Sequence, residues 1–218
     1  MRAPKLIAPQ MDNTGECTGS EIKLSQAQLY SDHNNRWSLI AEATNMRVDD
    51  FEIVLVCVTL HNKGGGKPIE EKQYLGASLL SYETVPFRLL LQGNLDQAER
   101  VVVAAKPIIT VPANIEQARI TRIRRNFVFS IAQMSGDVFS AQRISGRLRN
   151  NEPQAMVNVR LVMGLYDREG KLVGVVDGQV EDIAPILPGS VVSFTANSNM
   201  LLAPAASKLV VIEGEPAR

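Results

Sequence analysis

Several residue types on which chemistry usually depends are scarce in this chain of 218 residues. Histidine occurs twice, as His33 and His61, and neither has the Cys, His or Asp spacing of a metal site around it, so neither a metal nor any other cofactor is expected. Aromatic residues make up 5% of the chain, too few to build a stacking platform once a core has been filled. Lys plus Arg and Asp plus Glu balance at 23 each, leaving no overall field to draw in nucleic acid or an anionic surface. Apolar runs end in charge or turn residues well before the roughly 18 residues that a membrane span requires, so direct membrane insertion is not expected. The N-terminus carries Arg2 but meets Pro9 and Asp12 too early for a secretory signal. As written, the chain stays in the cytoplasm or forms the soluble part of a longer exported protein.

The two cysteines sit in unlike surroundings. Cys17 lies in a polar stretch rich in Gly and Thr, whereas Cys57 lies inside the apolar run from Ile53 to Leu60. They read as one exposed thiol and one small buried hydrophobe. A bridge between them requires the tail to fold back over that strand.

What the chain does contain is an internal repeat. Asn45 and Asn150, Leu60 and Leu165, Asn62 and Asp167, and Gly65 and Gly170 all pair at the same offset of 105. One β-rich unit used twice is therefore expected, with a flexible lead-in over 1–20, a first domain over 21–112 and a second over 113–218. Residues near 110–121 read as a short, stiff connection.

Period-two alternation and short apolar runs supply the strands, Phe51 to Leu60 being apolar at both parities as a central strand is. In the first unit these are Ile22 to Leu29, Trp37 to Ala43, Phe51 to Leu60, Tyr74 to Leu80, Phe87 to Leu91 and Val101 to Ile109. In the second they are Phe127 to Ile131, Val138 to Leu148, Val157 to Met163, Leu172 to Val176, Val180 to Ile183, Val191 to Thr195 and Leu209 to Ile212. Short strands with turns every 8 to 12 residues predict an all-β fold of two tandem immunoglobulin-like antiparallel sandwiches. Their cores draw on Trp37, Leu39, Val54, Val56, Val58, Leu60 and Phe87, and on Ile144, Leu148, Val159, Leu161, Met163, Leu165 and Phe194.

The second copy resembles the FxLYD family of β-sandwich domains over about residues 125–213. The resemblance rests on Gly146 to Asn150, on Met163-Gly-Leu165-Tyr166-Asp167 followed by Gly170, and on Pro188-Gly189 leading to Phe194. Met163 stands where the family name has Phe. In the first copy Ala41 replaces the glycine, and no Pro-Gly precedes Phe87. The resemblance implies an exported or cell-envelope protein built from repeated domains, and it brings no catalytic residues.

The remaining candidates have ordinary explanations. Asp49, Asp50 and Glu52 with Asn45 lack a calcium-loop spacing and read as solvated turn charges. Lys63 to Lys67, around three glycines, lacks the following helix that a phosphate cradle needs and reads as a hairpin tip. No serine occupies a nucleophile elbow. Arg119, Arg122, Arg124 and Arg125 cluster at the entry to the second unit. Arg143, Arg147 and Arg149 share one strand parity and read as a polar face or a dock for an acidic partner, since no aromatics interleave with them to stack on bases.

The expectation is a non-catalytic extracytoplasmic spacer or protein-interaction scaffold, with no catalytic, cofactor-binding or metal site. A carbohydrate-binding sandwich is the rival, and an enzyme with an unrecognised site comes after it. Its partner would be another protein or a missing domain of the same polypeptide. A monomer is expected first, and a weak homodimer paired through Val101 to Ile109 second.

Overall fold

The computed structural model describes the chain except for residues 1–5, 12–16, 18, 33, 66, 93–94, 96–97, 112–122, 125–126, 181–183, 199 and 218. The expected connection near 110–121 and the turn residue His33 fall largely or wholly outside the described residues, as do Arg119, Arg122 and Arg125. Every long element is a strand, and the chain divides into two compact units, Met1–Ile120 and Thr121–Arg218.

The first unit holds β1 (Leu6–Ile7), β2 (Gln10–Met11), β3 (Ile22–Ser31), β4 (Trp37–Asn45), β5 (Asp50–Asn62), β6 (Ile69–Tyr74), β7 (Thr84–Leu91) and β8 (Ala98–Val111). They form two four-stranded sheets, ordered β1-β3-β4-β7 and β2-β8-β5-β6. The second unit holds β9 (Ile123–Arg124), β10 (Phe127–Ser135), β11 (Arg143–Asn150), β12 (Met156–Tyr166), β13 (Leu172–Val180), β14 (Val191–Asn197) and β15 (Ser207–Pro216). Its strands form one continuous hydrogen-bonded order, β10-β11-β14-β13-β12-β15-β9. All pairings are antiparallel except that of β2 with β8.

The strand orders of the two units correspond. The run β3-β4-β7 has its counterpart in β10-β11-β14, and β6-β5-β8 has its counterpart in β13-β12-β15. A register shift interrupts β3 against β4 between Ser25 and Gln28, and β10 against β11 between Ile131 and Gln133. Isolated bridges join Phe51 to Leu79 and Met156 to Ile186. The copies differ at one seam. Strands β13 and β14 pair from Asp177–Asn197 to Val180–Phe194, whereas β6 and β7 are not neighbours in either sheet.

Alternation explains the cores. Val54, Val56, Val58 and Leu60 share one parity of β5 and are fully buried, as are Leu39, Ala41 and Ala43 of β4. In the second unit Ile144, Leu148, Val159, Leu161, Met163, Leu165 and Phe194 belong to one cluster. All fourteen core residues read from the sequence are buried. Gly146 has a packing reason as well: a Cβ there would meet the carbonyl of Ser130 and lie 2.8 Å from the Phe194 ring. At the corresponding place in the first unit Ala41 pairs with Phe87.

Several expectations are corrected. Residues 1–20 are not a uniformly flexible lead-in, because Leu6–Ile7 pair with β3 and Gln10–Met11 pair with β8. Val101 to Ile109 is consequently no open edge at Val102 and Val103, where β2 lies on one side and β5 on the other. The strand expected over Tyr74 to Leu80 is Ile69–Tyr74 instead. Leu75, Ala77 and Leu79 are buried in the segment that follows, which explains their strand-like pattern. Val138 to Gln142 is a loop rather than the start of a strand, held by the buried Gln142 amide donating to the carbonyls of Asp137 (2.9 Å) and Ser140 (3.3 Å). Leu172 to Val180 is one strand where two were expected.

Candidate functional site

Asn45 and Asn150 make matching contacts at corresponding places in the two units. The Asn45 side chain is fully buried, and its Nδ2 donates to the carbonyls of Asp49 (2.7 Å) and Leu79 (3.3 Å). Its Oδ1 accepts the N–H of Arg47 at 2.8 Å. Asn150 repeats this set, donating to Gln154 (3.0 Å) and Ile186 (2.8 Å) and accepting from Glu152 (2.9 Å). Each amide ties the strand-ending turn to the distant chain that bridges the next strand. An asparagine is required because one end must donate twice while the other accepts.

At the next corner Leu165 and Tyr166 are buried, and Asp167 Oδ1 accepts the N–H groups of Glu169 (3.1 Å) and Lys171 (2.8 Å). Gly170 completes this turn at φ +76°. Asp32 builds a similar turn, accepting from the N–H groups of Asn34 (2.8 Å) and Arg36 (2.9 Å) and from Arg36 Nε (2.8 Å). Burial of Asp32 works to raise its pKa, but the Arg36 N–H, the Arg36 guanidinium and the Asn34 N–H together hold the carboxyl below its ordinary value.

The cysteine reading is overturned. Cys17 and Cys57 form a disulfide with Cα atoms 6.1 Å apart, within the usual span. Cys57 has the opposite parity to Val56 and Val58, so it points away from the core. There the lead-in lies over it and buries both sulfur residues beside Leu55 and Ala104. A lone pair of cysteines, one of them on the outward parity of an apolar strand, was the available signal. The separation of 40 residues and the polar setting of Cys17 obscured it.

Other candidates resolve into fold contacts. Asp50 Oδ1 accepts the N–H of Ser81 at 2.6 Å, and Asn45 turns its amide toward carbonyls, so this cluster serves the backbone. Gly64 and Gly65 take positive φ at the tip between β5 and β6. His61 pairs with Arg100 near the end of β5. Among the described residues, no group of three or more His, Cys, Asp or Glu is placed to hold a metal ion. No helix there is long and apolar enough to cross a membrane.

The unpaired seam of the first unit opens as a cleft of 650 Å³ lined by Ile69, Glu71, Lys72, Gln73, Leu90 and Gln92. Side chains bridge it in place of backbone rungs. Gln73 Nε2 donates to the Leu90 carbonyl at 2.6 Å, and the Gln92 N–H donates to the Glu71 carboxylate at 3.0 Å.

The second unit presents a face of different character. Strand β11 alternates buried Ile144, Gly146, Leu148 and Asn150 with exposed Arg143, Arg147 and Arg149, the half-buried Ser145 falling among them. Across the sheet Arg149 sits between Val128 and Val191, Arg147 between Ser130 and Ser193, and Arg143 between Ser135 and Asn197. The arginines read from the sequence as one stripe are thus brought together on the outer face of β10, β11 and β14. Arg124, grouped in the sequence with other arginines, lies in β9 at the opposite end of the strand order.

No family model matches the chain, and no curated protein matches it. Among solved structures it is similar to the crystal structure of red sea bream transglutaminase, at 11% identity and a TM-score of 0.28. The match covers 88% of this chain and 29% of that one, so the chain spans less than a third of the length of that protein. No property of that enzyme transfers to this chain on such a likeness.

Proposed function

We propose that the chain is a non-catalytic extracytoplasmic module, a tandem pair of immunoglobulin-like sandwiches of the FxLYD kind, that spaces or presents a partner and docks other proteins. The observation that carries this reading is the Cys17–Cys57 disulfide, which fits an extracellular or secreted chain because thiols are kept reduced in most cytosols. Supporting it, Asn45, Asn150, Leu165, Asp167 and Gly170 are all used to build turns and core, which is what a repeated spacer asks of its motif residues. The binding half of the proposal rests on the outer face of β10, β11 and β14.

The test is protease accessibility in cells of the source organism, with in-cell cross-linking on the same samples. The chain should be degraded by protease added outside the cytoplasmic membrane, and it should cross-link to a discrete protein partner. Protection until the cytoplasm is opened would remove the extracytoplasmic reading, and catalytic turnover by the purified chain would remove the scaffold reading.

A further inference from the structure

We propose that the outer face of β10, β11 and β14 docks an extended acidic segment of a partner protein, with Arg143, Arg147 and Arg149 as its ionic contacts. This deepens the interaction-scaffold reading and rests on it.

Three observations converge. The three strands Phe127–Ser135, Arg143–Asn150 and Val191–Asn197 contain no Asp or Glu, and these arginines are their only charged residues. All three side chains are exposed, and among the described residues none takes part in a salt bridge. Among the described residues, the acids around this face stand at its margins: Asp137 and Glu152 in the flanking turns, and Asp177 on β13 beyond Asn197.

The first unit shows that the fold does not require the stripe. At the offset of 105 the three positions are Ser38, Glu42 and Thr44. That face is closed on itself: Ser38 is buried, Glu42 accepts a hydrogen bond from Ser25 at 3.0 Å, and Thr44 bonds Thr84 at 2.8 Å. The same strand is thus built once with neutral and acidic residues and once with three arginines. Three like charges on one strand add mutual repulsion and, among the described residues, no ion pair, so a partner of opposite charge is what accounts for them.

Geometry selects the form of that partner. Arg147 and Arg149 are two residues apart on a strand, about 6.8 Å, which is also the spacing of side chains on one face of an extended chain. Alternate carboxylates therefore meet successive guanidinium groups, each able to take one in a bidentate pair. Ser130 and Ser193 flank Arg147, and Ser135 and Asn197 flank Arg143, as hydrogen-bonding groups for the backbone of the segment. Beside Arg149, Val128 and Val191 are 55% and 54% exposed and offer an apolar end stop. A membrane surface fits less well, since the apolar residues flank one arginine only. Nucleic acid fits less well because Phe127 and Phe129 turn toward the core, leaving no ring on the face to stack on a base.

The experiment uses the full chain and a fluorescent peptide of alternating Glu and Ser, about 16 residues long, followed by anisotropy. The variant carries Arg143→Ser, Arg147→Glu and Arg149→Thr, the residues that the first copy places on the same strand, so cooperative unfolding near the wild-type temperature is expected. Binding should weaken at least tenfold in this variant and fall as salt rises from about 50 to about 300 mM. Arg147→Lys, which keeps charge but loses the planar fork, should bind more weakly than wild type and more tightly than Arg147→Ser. If the triple variant does not unfold cooperatively, these two single variants decide the matter. Equal binding by wild type and Arg147→Ser overturns the assignment. So does equal or tighter binding of duplex DNA, or of phosphatidylglycerol vesicles, through the same arginines. Failure here with a protein partner still cross-linked in cells removes only the acidic segment, whereas absence of any cross-linked partner removes the scaffold reading itself.

Discussion

Replacing Asn45 tests whether the motif residues serve the fold. In Asn45→Ala the Leu79 carbonyl keeps the N–H of Phe51 at 2.8 Å, and water reaches the half-buried Asp49 and the exposed Arg47. The loss is thus two or so net hydrogen bonds and a small void, about 2 kcal/mol. Asn45→Asp is the sharper variant. A carboxylate there still accepts from Arg47 but faces the carbonyls of Asp49 and Leu79, a buried charge against two dipoles, so at pH 7 it should cost more than alanine, about 3 kcal/mol or above. Protonation restores one donor, so the gap between the two variants should narrow or reverse near pH 4. Urea unfolding followed by Trp37 reads this directly, because the one tryptophan is buried on the same strand, β4. A loss of 2 kcal/mol moves the midpoint by about 1 M. Asn150→Ala, the same change in the second unit, should leave the Trp37 curve in place while shifting a dichroism-monitored transition. Finding Asn45→Asp no less stable than Asn45→Ala at pH 7 would refute the donor assignment.

Three further outcomes follow from the same structure. Cutting the Cys17–Cys57 cross-link by Cys57→Ser releases a loop of 40 residues, and the chain-entropy relation puts the loss at about 4 kcal/mol, read as a lower urea midpoint for Trp37 matched by adding reductant to wild type. Glu213 is buried, and its Oε1 accepts from Arg160 Nε at 2.6 Å across the β12–β15 pair, so Glu213→Met should cost about 3 kcal/mol, with Arg160→Met in the same chain recovering much of it in calorimetry. Asp32 has its pKa lowered in the fold, so the stability it supplies is present above the unfolded value of about 3.9 and is lost as pH falls through the folded value; Asp32→Asn should flatten that acid limb of the Trp37 stability curve.

How much was legible depended on whether a residue acts through its own strand or through chain distant in sequence. The apolar run Phe51 to Leu60 and the shared parity of Val157, Val159, Leu161 and Met163 reveal strands, because their side chains pack locally. Long-range partners were not legible. Nothing in Leu6–Ile7 or Gln10–Met11 signals that these pairs add to different sheets, since two-residue strands are fixed by what they dock against. The disulfide was missed because the apolar run around Cys57 made it read as a small buried hydrophobe, and the sequence of that strand does not say what lies over its outward side. Leu75 to Leu79 looked like a strand because buried residues in a crossing segment have the same pattern as a strand face. The arginine stripe was visible as parity. That its face carries no acid became clear only once the neighbours of β11 were known to be β10 and β14.

The most direct test of the central claim is a non-reducing peptide map of the chain taken from its own host, with free thiols blocked by alkylation at the moment of lysis. An extracytoplasmic module predicts that the peptides containing Cys17 and Cys57 run as one linked, unalkylated species that separates on reduction. Recovery of both cysteines alkylated, with the chain folded, would contradict the account.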